Sequence, residues 1–142
     1  MRDAPADEVT KLGDRLRVLI VDDNHDAADT LAILVEAWGH EARVAYDGTG
    51  IGPSSAFEPD VVLLDLGLPW KDGISVARSL RGSDSSTAPL LIAVTGHQDE
   101  TTRRLAKEAG IDHYLLKPVN PSDIQDLLAK HALTDAAHQS PP

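Results

Sequence analysis

Arg17-Val18-Leu19-Ile20-Val21-Asp22-Asp23 is the stretch on which the fold turns. A dense run of β-branched residues and leucine, short enough for a buried strand, ends abruptly in two carboxylates. Three more runs repeat that pattern: residues 61–64 run into Asp65, 90–94 into Thr95, and 114–116 into Lys117. Near-continuous apolar strands fit a parallel sheet covered on both faces. The carboxyl ends of parallel strands open into one crevice. The first, third, fourth and fifth strands would thus present three carboxylates, a hydroxyl and an ammonium in one mouth.

Outward from that stretch, Asn24 can cap a helix with Ala27, Leu31, Leu34, Val35 and Trp38 on one face. Gly39 sits where a left-handed C-terminal cap is expected. Residues 41–45 read as a second, shorter strand before an Asp47-Gly48 turn, and Pro59-Asp60 introduces the third. Asp72-Gly73 opens a helix with Val76, Ala77 and Leu80 inward, ending near Gly82 before a polar loop at 83–87. Residues 98–109 predict a helix with Leu105, Ala106 and Ala109 inward, stopped by Gly110. The fifth strand covers 113–116, and Asn120-Pro121 starts a last helix with Ile124, Leu127 and Leu128 inward.

Strands alternating with helices predict an α/β domain with a parallel sheet. One crossover resists. Gly50, Gly52 and Pro53 lie between the second and third strands. They oppose a helix by roughly 1 kcal/mol per interior glycine and about 3 for an interior proline. A short or late helix over 54–57 is the expectation there.

The chain has 142 residues, 42% of them hydrophobic, which suits one domain with a proper core. It has no cysteine, so disulfide frameworks and zinc–thiolate sites are excluded. Met1-Arg2-Asp3-Ala4-Pro5 carries charge and proline where a signal peptide needs an apolar stretch. No apolar run approaches the roughly 20 residues that would span a bilayer. A cytoplasmic protein with no membrane partner is therefore expected. The balance of 23 acidic against 13 basic residues argues against direct nucleic-acid binding. Residues 1–15 read as a flexible N-terminal tail, 16–131 as the domain, and 132–142 as a flexible C-terminal tail.

The chemistry follows from the residue types. Mg²⁺ takes oxygen ligands and keeps several waters, so one or two carboxylates suffice. Three neighbouring acids repel one another unless a cation is present. A carboxylate can attack phosphorus to form an acyl phosphate, with lysine as a point-charge partner of the phosphoryl group. Each residue alone has an ordinary reading: a solvated turn, a helix cap, a surface lysine before a turn. Their recurrence at equivalent strand ends points to a site. The six histidines are scattered, without a spacing that suits a metal.

Val-Asp-Asp-Asn at 21–24, Leu-Leu-Asp-Leu-Gly-Leu-Pro at 63–69, Asp-Gly at 72–73, Val-Thr-Gly at 94–96 and Leu-Lys-Pro at 116–118 together resemble a two-component response-regulator receiver domain. The resemblance spans about 16–128 and implies a flavodoxin-like (βα)5 three-layer sandwich with strand order 2-1-3-4-5. It implies that Asp65 is the phosphoacceptor in a phosphorelay, fed by a phosphohistidine on a histidine kinase or histidine phosphotransfer protein. Mg²⁺ would be held by Asp23 directly, Asp22 through water, Asp65, and the backbone carbonyl of Gly67. Lys117 would pair with the phosphoryl group, Thr95 would swing toward it, and Tyr114 falls at the aromatic switch position. Such domains commonly hold a cis peptide bond before the residue matching Pro118. The implied protein is a signalling module rather than an enzyme, catalysing only its own phosphorylation and dephosphorylation. Its output is a downstream protein target, with a phosphorylation-dependent homodimer as a further candidate partner.

Some positions depart from the family pattern. Trp70-Lys71 follows Pro69, where the second position is usually apolar, and an aromatic beside the active site makes Trp70 a candidate partner contact. Gly67 and His97 offer no acid or amide to position an attacking water, so a long-lived phosphoryl group is expected. A haloacid-dehalogenase-type phosphatase would need an acid two residues after the nucleophile, where Gly67 stands. A nucleotide-binding module would need a glycine-rich phosphate loop, which is missing. Whether the receiver stands alone or comes from a hybrid kinase or larger regulator stays open.

Overall fold

The structure is a computed structural model that describes residues 15–47, 57–67, 73–81, 89–96 and 99–139, with backbone only at 73, 81 and 134–139. The elements run β1 (Arg17–Val21), α1 (His25–Ala37), β2 (Glu41–Ala45), β3 (Val61–Asp65), α2 (Gly73–Arg81), β4 (Leu90–Thr95), α3 (Glu100–Glu108), β5 (His113–Leu116) and α4 (Pro121–Gln139). All strand pairs are parallel, in the order β2-β1-β3-β4-β5. This is the flavodoxin-like strand order that the sequence resemblance implies. The expected short helix at 54–57, the loop at 83–87, Trp70 and His97 lie outside the described residues, Phe57 excepted.

Alternation along the buried strands sorts their side chains into two cores. Val18, Ile20, Val61, Leu63 and Ile92 pack with Ala28 and Val35 of α1 and Ile124, Leu128 and Ala132 of α4. Leu19, Val21, Val62, Leu64, Leu91 and Ala93 face the other way, onto Ile74, Val76, Ala77 and Leu80 of α2 and onto Ala106 of α3. Helices thus cover both faces, which explains why these strands are apolar between their ends. Each buried Val, Leu or Ile contributes about 1.5–3 kcal/mol.

Two aspartates pin the amino ends of the strands. Asp60 Oδ2 accepts the Arg17 amide at 2.9 Å, while the Asp60 amide donates to the Arg17 carbonyl at 2.7 Å. Asp112 does the same for β4, accepting the Leu91 amide at 2.9 Å and donating to the Leu91 carbonyl at 2.8 Å. These clamps set the strand register, and the register sets which residues reach the opposite end.

Helix ends follow their caps. Asn24 Oδ1 accepts the Ala27 amide at 3.0 Å, and Gly39 closes α1 at φ 100°. Asp99 caps α3 through the Thr102 amide, so that helix begins at Glu100 rather than at residue 98. Asn120 accepts the Ser122 amide at 3.0 Å ahead of α4.

The structure corrects three further details. Ala28, not Ala27, is the buried alanine of α1, and Ala27 is exposed. A one-residue step on a helix turns the side chain by about 100°, and two adjacent alanines look alike in an apolar pattern. Leu105 is 36% exposed, because the small Ala106 and Ala109 are the residues that lie against the sheet. Finally, α4 runs to Gln139, into the stretch 132–142 assigned to a tail. No glycine or proline interrupts residues 131–139, and Ala132 is still buried against the sheet.

Candidate functional site

Four strands deliver the site to one edge of the sheet. Asp22 directly follows β1, its amide donating to the Ala45 carbonyl at 3.0 Å, and Asp23 comes next, exposed. Asp65 is the last residue of β3 and only 7% exposed. Thr95 ends β4 at 1% exposure, and its carbonyl accepts the Lys117 amide at 2.8 Å. That bond ties the end of β4 to the residue after β5. The Lys117–Pro118 peptide is cis.

Both oxygens of Asp65 are held. Oδ1 accepts the Gly67 amide at 2.9 Å, and Oδ2 lies 3.2 Å from Lys117 Nζ. The lysine side chain is 41% exposed against 9% for the carboxylate, so a buried anion meets a cation that reaches out to solvent. A Cβ on Gly67 would stand 3.5 Å from Asp65 Oδ1, an ordinary contact. Glycine at this position therefore leaves open space over the carboxylate that a side chain would occupy.

Asp22, Asp23 and Asp65 each offer an oxygen, and these atoms lie within 4.8 Å of one another. Burial is the main cause that pushes the Asp22 carboxyl above its ordinary value. The Asn24 amide, donating to Oδ1 at 3.0 Å, pulls it back, Asp65 raises it again, and Lys117 opposes that rise. Two unit charges 4.8 Å apart repel by about 0.9 kcal/mol at the dielectric of water and about 3.5 at an effective value of 20. Among the described residues, the one ammonium paired with the cluster, that of Lys117, cannot balance three carboxylates. An all-oxygen, carboxylate-rich set fits a hard divalent cation such as Mg²⁺ and does not suit a thiophilic metal.

Tyr114 stands on β5, half-buried against the core under α2 and α3. The register pairs it with Ala93, two residues before Thr95. Alternation places Thr95 on the face that carries Leu91 and Ala93, which is the face of Tyr114. The Arg103 guanidinium lies 4.9 Å over the Tyr114 ring. Burial pushes the phenol up, Asp99 adds to the rise, and Arg103 opposes it.

Some neighbours of the site carry no signal in the sequence. His25 stacks on Tyr46 with ring centroids 3.7 Å apart, and the Tyr46 hydroxyl donates to Asp29 Oδ1 at 2.6 Å. These partners sit far apart in the chain, and no periodicity links them. The amide contacts to Asp22 and Asp65 were foreseeable, since an aspartate commonly bonds the backbone two residues on.

The sequence profile of the response regulator receiver domain matches residues 18–129. The DNA-binding response regulator MtrA of Mycolicibacterium paratuberculosis is 37% identical over 111 residues, covering 78% of this chain and 48% of that protein. The chain thus spans about half the length of the curated relatives it matches. A CheY-like receiver domain protein from Methanospirillum hungatei superposes with a TM-score of 0.77 at 25% identity, covering 86% of this chain and 97% of the other. The receiver domain of the sensor histidine kinase PA1611 from Pseudomonas aeruginosa shares the fold with a TM-score of 0.71 at 24% identity, covering 82% and 97%. That protein holds a magnesium ion in its active-site cleft.

Proposed function

The chain belongs to the response regulator receiver domain family of two-component signalling, and from that premise we propose that Asp65 is its phosphoacceptor. The observation that carries the reading is one cluster: three acidic side chains with oxygens within 4.8 Å, and an ammonium 3.2 Å from the most buried of them. Asp22, Asp23 and Asp65, with the backbone carbonyl of Gly67, would hold Mg²⁺. The cation, when bound, neutralises charge on the incoming phosphoryl group.

The chain's own residues account for the transfer. An Asp65 carboxylate oxygen forms a bond to phosphorus as the phosphorus–nitrogen bond of a phosphohistidine breaks. The electron pair stays on the imidazole nitrogen, which takes up a proton. Lys117, released from its pairing with the free carboxylate, holds a phosphoryl oxygen. The donor is a histidine kinase or a histidine phosphotransfer protein.

Thr95 and Tyr114 form the readout. They occupy the same sheet face on adjacent strands. A phosphoryl group adds nearly two negative charges and three acceptor oxygens. The Thr95 hydroxyl turns to donate to one of them, Tyr114 moves into the space beside β4, and the α3–β5–α4 surface changes shape. That surface addresses a downstream protein, with a phosphorylation-dependent homodimer as a second destination. Trp70 contacts the donor. The chain acts as a signalling module, catalysing only its own phosphorylation and dephosphorylation. We place it in the cytoplasm. Among the described residues no helix is long and apolar enough to cross a membrane.

Intact-mass spectrometry after incubation with acetyl phosphate and Mg²⁺ tests the assignment. One phosphoryl adduct is expected, lost in Asp65→Asn and lost with a chelator. An adduct that survives Asp65→Asn would overturn it.

A further inference from the structure

A cavity of about 650 Å³ opens beside the acidic cluster, between α1 and the start of α4. Ala27, Leu31 and Leu34 of α1 form one wall, and Val119 and Ile124 form the other. Asp22, Asp65 and Lys117 line the same cavity. Its volume lies within the roughly 300–1,000 Å³ range of small-molecule sites, and an apolar lining with a few convergent polar groups is their usual make-up. Phosphoryl transfer to Asp65 uses the polar end and has no use for the apolar walls.

We propose that this groove binds a small organic cation: an aromatic or aliphatic body between α1 and α4, with an ammonium or amidinium head on the carboxylates of Asp22 and Asp65. Charge decides the class of head group. Three carboxylates gather at the cluster, and the ammonium among them already lies 3.2 Å from Asp65. An anionic head would meet that surplus of negative charge, and a neutral head would leave it unbalanced. The whole chain, at a formal net charge of −10, pulls in the same direction.

Such a ligand takes the carboxylates that the divalent cation requires, so the two exclude each other. An amphipathic amine then acts as a brake on phosphoryl acceptance, applied without any contact to the donor or output protein. The mutual exclusion rests on the cation-holding reading of the cluster, whereas occupancy of the groove does not.

The test uses 2-naphthylmethylammonium, with 2-naphthylmethanol and 2-naphthoate as controls of the same body. Amide shifts in ¹H–¹⁵N spectra of the full chain report binding. The ammonium compound is expected to bind about tenfold or more tighter than the alcohol, as charged hydrogen bonds outweigh neutral ones. The carboxylate should bind weakest. Shifts should centre on Leu31, Leu34 and Ile124, and saturating Mg²⁺ should raise the apparent dissociation constant about fivefold or more, as linkage of exclusive ligands requires. Ala27→Phe and Thr30→Phe, both at exposed positions lining the groove, should each fill it. Each should lose the amine while keeping Mg²⁺ affinity within about twofold, because neither residue belongs to the carboxylate cluster. Equal binding of the alcohol, shifts centred elsewhere, indifference to Mg²⁺, or no binding at millimolar concentration would each overturn the inference. Failure of Mg²⁺ itself to bind would instead overturn the proposed function.

Discussion

Asp22→Asn should reverse its effect on stability when Mg²⁺ is added. In the cation-free protein the ionised Asp22 is opposed by burial and by Asp65, which hold its carboxyl above the ordinary 3.8. A raised folded-state value means that the folded protein binds the proton more tightly than the unfolded chain. The ionised group therefore costs stability in full above that raised value, and the cost disappears as pH falls below 3.8. The gross repulsion from one neighbouring charge is bracketed above at about 0.9–3.5 kcal/mol, and Lys117 offsets part of it. A net gain of about 1 kcal/mol for the asparagine variant follows at pH 7.5 in chelator, or roughly 4 °C in Tm for a domain of this size. With Mg²⁺ at about 100 times its dissociation constant, the wild type gains about 2.7 kcal/mol by mass action. The variant, missing one of three carboxylates, gains far less, so the order inverts. Calorimetric scans with chelator and with Mg²⁺, at pH 7.5 and at pH 3.5, measure all four arms. A variant less stable than wild type in chelator at pH 7.5, or equal Mg²⁺ stabilisation of both proteins, would refute the electrostatic account of the cluster.

Other outcomes follow from the same structure. Trp70→Ala should weaken phosphoryl transfer from the cognate protein donor while sparing acetyl phosphate; equal loss with both would remove Trp70 from the donor interface. The phosphorylated protein should persist for minutes or longer at neutral pH, because Gly67 adds no side chain over Asp65, and decay within seconds by quenched mass analysis would contradict this. Thr95→Ala should accept phosphate yet fail to shift Tyr114 resonances in aromatic NMR spectra, and a wild-type shift in that variant would uncouple the pair. Leu128→Ala, at a fully buried position of α4, should cost about 2–5 kcal/mol in urea unfolding; a loss below about 1 would mean that α4 contributes little to the core.

Much of this fold was legible because the central strands are apolar runs that end in hard stops. Residues 41–45 come out as β2 at the expected bounds, and β3 starts at Val61, directly after Pro59-Asp60, and ends at Asp65. The strand order came from the family resemblance, as no local pattern says which strand lies beside which. Helix faces were less legible where alanine carries the packing: Ala28 is buried where Ala27 was the expected inward residue, and of Leu105, Ala106 and Ala109 only the two alanines are buried. The end of α4 was missed because the apolar rhythm fades before helix propensity does.

The site divides in the same way. Asp22, Asp23, Asp65, Thr95 and Lys117 stood out in the sequence at equivalent strand ends, and the parallel sheet brings those ends together. Arg103 over Tyr114, His25 on Tyr46 and the apolar groove between α1 and α4 exist only once the helices dock. Each depends on the angle and height at which a helix packs, which residue type and spacing do not encode.

Chemical trapping of the modified residue tests the central claim most directly. Borohydride reduces an acyl phosphate to an alcohol, so phosphorylated protein treated with it and digested should yield homoserine at position 65 and nowhere else. Reduction at Asp22 or Asp23, or an unreduced Asp65 in protein that carries the phosphoryl group, would contradict the account.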